Sequence, residues 1–253
     1  MVGLVGAMAG GDSDGGRGGA GRDDSDGNGC GNGADSPGER PDDGRFRAAR
    51  DRLVDSLADR GRIERPATIE ALRSVPRHEF VPEERRDAAY ADRPLPIGAG
   101  QTISAPHMVG IMCDRLAPDP GDRVLEIGTG CGYHAAVTAE IVGSGNVYTV
   151  EYVPELAAEA RRRLERLGYG DVHVRTGDGW RGWPDHAPYD GAYLTCAAPE
   201  LPEAVAEQVR VGGRIVAPIG ETTQTLVEAT RTHGGLDRET HGGVRFVPME
   251  GGT

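Results

Sequence analysis

Apolar residues begin to recur with a structural period only at Phe46. Phe46, Ala49, Leu53 and Leu57 stand at helical spacing with Arg and Asp between them, which predicts an amphipathic helix. A short helix is expected over 68–74, with Thr68 as its cap and Val75-Pro76 as its stop. Residues 76–104 carry Pro76, Pro82, Pro94, Pro96, Gly98 and Gly100, and read as a long, shaped loop. From about 105 the pattern becomes an alternation of apolar runs and helical patterns. The expected order is helix 105–117, strand 123–127, helix 133–142, strand 146–151 and helix 154–167, ending at Gly168. Strands 171–175 and 189–195, helix 200–209 and strand 214–217 follow. The end reads as a hairpin of 225–232 and 243–249 about His233-Gly234-Gly235. Strands alternating with helices of about 10–15 residues imply an α/β fold, with a mostly parallel sheet covered on both faces.

Composition changes the picture at the N-terminus. Residues 1–44 form a Gly/Asp/Ser/Asn tract too poor in apolar surface to offset the entropy of ordering it. It is expected to be a disordered acidic tail, or to follow from a mis-assigned start codon. Three regions result: the tail at 1–44, helices and a loop at 45–104, and an α/β core at 105–253.

The 253 residues hold 40 acidic and 28 basic side chains, a formal net charge of -12, and every basic residue is arginine. Such a balance repels phosphate backbones and disfavours a nucleic-acid partner. It fits a salt-rich cytoplasm or a GC-rich genome, and composition does not choose between them. No run of about 18 apolar residues is present to span a membrane. Cys30, Cys113, Cys131 and Cys196 form no CxxC pair, and the seven histidines show no metal-ligand spacing. A reducing, cytoplasmic setting and no metal are expected.

The chemistry concentrates at strand ends. Val124 to Ile127 runs into Gly128-Thr129-Gly130-Cys131-Gly132, and a helix follows. Glycines permit positive φ and close approach of backbone to a ligand, and the N–H groups of the helix start face that ligand. The third glycine of a dinucleotide fingerprint is replaced at Tyr133 or its neighbour. That favours the looser turn of S-adenosylmethionine enzymes over a nicotinamide site. Tight strand-to-helix turns also recur without ligands. Glu151, at the end of the next strand, stands where an acid can take both ribose hydroxyls. Asp178-Gly179 ends the third strand, where an acid can accept from the adenine amino group. Taken singly, Glu151 reads equally as a solvated carboxylate and Asp178 as a turn residue. NPPY-type and Pro-Cys signatures of base-modifying methyltransferases are missing, and the fourth strand ends in Thr195-Cys196-Ala197-Ala198-Pro199.

The segment from Pro94 to Ser104, with Gly100-Gln101-Thr102-Ile103-Ser104 at its end, resembles the substrate loop of the protein-L-isoaspartate (D-aspartate) O-methyltransferase family. Val75 to Pro82, Tyr90 to Arg93, the glycine turn, Thr195 to Pro199, Val211 to Arg214 and Val244 to Met249 also resemble that family. The resemblance covers about residues 45–250. It implies a Rossmann-like class I S-adenosylmethionine-dependent methyltransferase with a mostly parallel seven-stranded sheet and helices on both faces. It implies methylation of the α-carboxylate of L-isoaspartyl residues in damaged proteins, and repair through a succinimide.

Carried over by position, Ser104 is the catalytic residue. Gly128, Thr129, Gly130, Gly132, Glu151, Asp178 and Gly179 hold S-adenosyl-L-methionine. Ile97, Gln101, Thr102, Ile103, Ser104, Val244 and Phe246 hold the substrate. Ala99 departs from the family's loop pattern. A monomer without nucleic-acid or membrane partners is implied. Ser104, just before Ala105-Pro106 and a helical pattern, also reads as that helix's N-cap.

Trp180 and Trp183 cover the adenine edge or anchor a loop. The Arg161-Arg162-Arg163 run, interspersed with Glu155, Glu159 and Glu165, reads as a solvated, paired helix face. Two rival functions stay open: a same-fold methyltransferase acting on a peptide natural product, small acid or RNA, and a non-catalytic cofactor-binding adaptor.

Overall fold

A computed structural model describes residues 41–252. The chain divides into residues 1–38 and 39–253, and the described range falls within the second unit. The expectation of a disordered tail therefore lies outside the described residues, except at its end. Helix α1 begins at Pro41 and runs to Asp59, taking in the last residues assigned to that tail.

Helix α2 spans Pro66–Ser74. It starts earlier than expected, and Arg65 rather than Thr68 occupies the cap position. Proline at the first helical position supplies the right φ and has no N–H to satisfy. Thr68 is buried in the helix, its hydroxyl without a hydrogen-bond partner among the described residues. Residues 76–104 are more ordered than a loop. Short 3-10 helices cover Arg77–Phe80 and Glu83–Ala88, and a hairpin pairs β1 (Leu95–Gly98) with β2 (Gln101–Ile103). Gly98, Ala99 and Gly100 turn that hairpin through φ of 96°, 50° and 73°, a path that suits glycine and strains the alanine.

The remaining elements alternate. They are α3 (Pro106–Leu116), β3 (Val124–Ile127), α4 (Tyr133–Val142), β4 (Val147–Glu151) and α5 (Pro154–Arg166). Then come β5 (His173–Thr176), β6 (Tyr189–Leu194), α6 (Glu203–Gln208) and three long strands, β7 (Val209–Ile219), β8 (Gln224–Thr232) and β9 (Gly235–Val244). Strands β3 to β9 form one seven-stranded sheet in the order β5-β4-β3-β6-β7-β8-β9. The first five in that order are parallel, and β8 and β9 add on antiparallel. The chain therefore leaves β3 toward one edge and returns beside it with β6. That reversal opens a crevice at the carboxyl ends of β3 and β6, where such sheets bind ligands.

Alternation along β3 sends Val124 to one core and Leu125 and Ile127 to the other. The first core joins α1, α2, α3 and α4 to the sheet, so the region 45–104 shares one interior with the strands. The second packs α6 and the loop around Trp180 and Trp183 on the opposite face.

Two strands differ from the sequence reading. β7 is longer, because β8 pairs along Arg214–Ile219 and a bulge at Gly212-Gly213 carries pairing back to Val209. A Cβ at Gly213 would lie 2.5 Å from the Asp190 carbonyl oxygen, so the bulge demands glycine. β9 starts at Gly235, directly after the two-residue turn His233-Gly234, and ends at Val244 rather than running over 243–249. Its residues are half-buried or exposed on both faces, so no apolar period marked it. Residues 245–250 instead leave the sheet edge and cross to the segment after β6, where the Ala197 N–H donates to the Val247 carbonyl and the Met249 N–H donates to the Ala197 carbonyl.

Gly110 sets how closely α3 lies on the α1–α2 connection: a Cβ there would meet Ile63 Cγ2 at 2.4 Å and Leu72 Cδ1 at 3.2 Å. Gly110→Ala is expected to cost about 1–3 kcal/mol by overpacking, despite alanine's better helix propensity. Thermal melting of the two proteins measures it, and an unchanged or raised midpoint would refute the close approach.

Candidate active site

The crevice holds two adjoining chambers. The larger, with about 540 Å³ of open space, is lined by the ends of β3 (Ile127, Gly128), β4 (Val150, Glu151) and β6 (Thr195), with Gly130 and Met249. The smaller, about 310 Å³, is lined by Thr102, Ile103, Ser104, Thr129, His134 and Thr195 among others. Thr102, Gly128, Gly130 and Thr195 belong to both walls.

The glycine turn is built by its neighbours. Gly128, Gly130 and Gly132 take φ of 97°, 54° and 89°. A Cβ at Gly128 would stand 2.3 Å from Thr195 Oγ1, so both conformation and space require glycine there. Thr195 donates its hydroxyl toward the carbonyls of Gly128 (2.5 Å) and Ile127 (3.2 Å). Glu151 is buried and accepts from Gly130 N at 2.8 Å and Val153 N at 3.0 Å. Each carboxylate oxygen keeps a free lone pair, so Glu151 can still accept from a diol in the larger chamber. Gly132 does not reach either chamber; it caps α4 and lies against Leu164.

Beneath the turn lies a buried polar chain. Thr129 Oγ1 contacts Thr149 Oγ1 at 2.7 Å, Thr149 reaches Glu126 at 2.5 Å, and Tyr193 OH joins Glu126 (3.1 Å) and Thr138 (3.0 Å). Burial pushes the Glu126 carboxyl up to about 8, against the pull of its two hydroxyl partners. Cys113, Cys131 and Cys196 are buried, unpaired thiols. Burial pushes Cys196 up to about 12 and raises the other two as well, so all three serve as small apolar residues.

Ser104 is not the cap of α3. Ala105 holds that position, and Asp92 reaches across to accept from the His107 N–H (3.0 Å) and the His107 ring (2.8 Å). The helix start is thus satisfied from the Tyr90–Arg93 segment, and the Ser104 hydroxyl is left to the smaller chamber. Arg77 steadies the same region: wholly buried, it donates to Ala89 O at 2.8 Å and lies 4.8 Å over the Tyr133 ring, next to the glycine turn.

Of the other expected site residues, Gln101 and Thr102 line the larger chamber, Gly179 also does, and Ile103 lines the smaller. Ile97 covers the turn, its Cδ1 standing 3.4 Å from where a Gly130 Cβ would be. Asp178 sits beside the larger chamber with its carboxylate already accepting from Trp180 N (3.0 Å) and Gly252 N (3.1 Å). Val244 and Phe246 pack against the first core and line neither chamber. The wall comes instead from Val247 to Glu250, and Glu250 accepts from the Gln101 side chain at 2.9 Å.

Trp180 and Trp183 are loop anchors rather than chamber walls. Trp183 stacks edge-on to Tyr148 and binds Gln208 through its backbone N–H. Arg161 and Arg163 donate to the carbonyls of Val174 and Cys131, so the run is tied to backbone rather than paired with its own glutamates. Thr195, Cys196, Tyr152 and Val247 to Glu250 were missed as site residues. Thr195 carried a signal, its place at the end of the strand beside β3.

Three groups on β8 and β9, Glu228, Glu239 and His241, come within 4.8 Å of one another. Arg115 (4.0 Å) and Arg214 (3.8 Å) already approach Glu228, and the group lines neither chamber.

Comparison with known proteins agrees with this geometry. The family model described as protein-L-isoaspartate(D-aspartate) O-methyltransferase matches residues 48–253. Protein-L-isoaspartate O-methyltransferase 2 of Archaeoglobus fulgidus is 53% identical over 204 residues, covering 80% of this chain and 93% of the relative. The Methanopyrus kandleri protein-L-isoaspartate O-methyltransferase is 53% identical over 215 residues, covering 83% and 95%. A solved protein-L-isoaspartate O-methyltransferase superposes with TM-score 0.74 at 31% identity, covering 80% of this chain and 66% of that one. A Plasmodium falciparum protein described as such an enzyme, solved with S-adenosyl-L-homocysteine, gives TM-score 0.69 at 25% identity, covering 79% and 98%.

Because its raised pKa keeps Glu126 protonated in the fold, that residue favours folding below the unfolded value of 4.5 and loses this contribution as pH rises to about 8. Replacing it by glutamine is expected to flatten that loss: the melting point of wild type relative to Glu126→Gln falls across this window and levels off above it. A difference independent of pH would show that Glu126 is ionised throughout.

With its fold, its glycine turn and its loop all matched over 48–253, the chain belongs to the protein-L-isoaspartate(D-aspartate) O-methyltransferase family.

Proposed function

We propose that this chain transfers the methyl group of S-adenosylmethionine to the free α-carboxylate of L-isoaspartyl residues in damaged proteins, the first step of repair through a succinimide. The observation that carries the reading is the pair of chambers with a common wall, Glu151 on one side and Ser104 on the other. The larger chamber suits the methyl donor. It has positive-φ glycines that let backbone approach, a carboxylate with free lone pairs at the end of β4, and apolar walls from Ile127, Val150 and Met249. When bound there, S-adenosylmethionine supplies a methyl group already activated on a sulfonium.

The residues then have little chemistry to perform. The acceptor carboxylate, with a pKa near 4, is ionised at neutral pH and needs no general base. The Ser104 hydroxyl orients it without cancelling its charge, as an arginine would. Gln101 and Glu250 join the substrate loop to the C-terminal segment and close the crevice toward water. Alignment of this kind is worth several kcal/mol of barrier, about 7–11 in good cases. The methyl ester then cyclises by attack of the neighbouring backbone nitrogen, with loss of methanol. A monomer is the state that the family resemblance implies. The net charge of -12 supports a cytoplasmic enzyme without a nucleic-acid partner.

The test is methyl transfer from labelled S-adenosylmethionine to paired peptides containing L-isoaspartate or L-aspartate, in low and in molar salt. Label on the isoaspartyl peptide alone is expected. Label on neither, with the donor bound and the protein folded, would move the acceptor to another class. Ser104→Ala is expected to lower turnover at least tenfold with donor affinity and melting point nearly unchanged, since Asp92 rather than Ser104 serves the start of α3. Equal loss of turnover and donor binding would contradict that division.

A further inference from the structure

His134 has no place in the chemistry described so far. It lies on the first turn of α4, 94% buried by its 6% exposure, and lines the smaller chamber with Ser104. Its ring stacks on Tyr193 with centroids 4.2 Å apart, and Nε2 lies 3.5 Å from Cys113 Sγ. Its other nitrogen, Nδ1, is buried with no hydrogen-bond partner among the described residues. An orphaned polar atom of this kind costs about 1–3 kcal/mol and calls for an explanation.

The surroundings decide what Nδ1 carries. Burial pushes the ring's pKa down to about 3, so it is neutral and holds one proton. Burial likewise keeps Cys113 a protonated thiol 3.5 Å from Nε2, a pair in which either the S–H or the ring N–H can donate. In the tautomer with the thiol as donor, the ring proton sits on Nδ1, and that N–H is a donor in need of an acceptor. The chamber's other polar groups narrow what that acceptor is. Thr195 donates to Gly128 and Ile127 carbonyls, and Thr129 is bonded to Thr149. A chamber that offers the half-buried Ser104 hydroxyl and a buried imidazole as uncommitted polar groups fits an anion rather than an apolar group.

We propose that His134 is an acceptor-site residue whose Nδ1–H donates to the carboxylate receiving the methyl group, alongside Ser104. A neutral imidazole suits this role for the same reason as a serine: it orients the carboxylate and leaves its charge available for attack. The inference rests on the isoaspartyl reading and adds a specificity-determining residue to it.

Three variants test it on the isoaspartyl peptide. His134→Phe keeps an aromatic ring on Tyr193 without a donor, His134→Leu removes ring and donor, and His134→Asn returns an N–H close to the Nδ1 position. A lost hydrogen bond to a charged group predicts that Phe and Leu raise KM for the peptide about tenfold or more. S-adenosylmethionine affinity should stay within about twofold of wild type, and Asn should recover most of the KM. A donor-less variant that binds S-adenosylmethionine normally and keeps the wild-type KM overturns the proposal. So does an equal KM rise in all three, or a rise that only accompanies lost donor binding, since either marks a packing role. Failure of wild type to methylate the isoaspartyl peptide would overturn the functional reading itself, a separate outcome.

Discussion

The site depends on one buried carboxylate. Glu151 ends β4 and accepts from the Gly130 N–H on one side and the Val153 N–H on the other. It thereby locks the glycine turn that leaves β3 to the strand end beside it. Two neighbouring strand ends become one rigid edge, and the crevice gains a fixed wall before any ligand enters. Thr195, from β6 on the other flank, completes the clamp by donating to the carbonyls of Ile127 and Gly128. The crossover that places β4 and β6 on opposite sides of β3 is what lets both reach the same turn.

A second set of contacts brings the N-terminal region to that edge. Arg77 ties residues 77–93 to Tyr133 at the head of α4, and Asp92 ties the same segment to the start of α3. Between them the β1–β2 hairpin is laid over the turn, with Ile97 against Gly130. The C-terminal segment comes from the opposite direction, through Ala197, to meet Gln101 at Glu250. The crevice is therefore enclosed by parts of the chain far apart in sequence, all referred to one glycine turn. The polar chain under it, from Thr129 through Thr149 and Glu126 to Tyr193, is satisfied member by member, which specifies a single arrangement of that floor.

Much of this was legible in the sequence. The alternation of apolar runs and helical patterns gave the order of strands and helices, because burial on both faces of a parallel sheet leaves continuous apolar segments such as Val124 to Ile127. Gly128, Gly130 and Glu151 were readable because strand ends in such a sheet are where ligands bind. The Gly100 to Ser104 segment pointed to the family by resemblance. β9 was misplaced because neither of its faces is buried enough to show a period of two. Ser104 also read as a helix cap, beside its catalytic reading, because local sequence could not reveal that Asp92 reaches across to His107.

The chain's own pattern of residues thus determined the architecture and the location of the larger chamber, since both follow from local periodicity and from the steric needs of glycine. Only the tertiary structure decided which groups are already engaged and which remain free. It occupied Asp178 with the Trp180 and Gly252 N–H groups, assigned the chamber wall to Val247 to Glu250 rather than Val244 and Phe246, and left Ser104 and His134 facing one cavity. The physical reason is that a side chain's hydrogen-bonding capacity is set locally, whereas its partners are chosen by elements that meet only when the sheet is assembled.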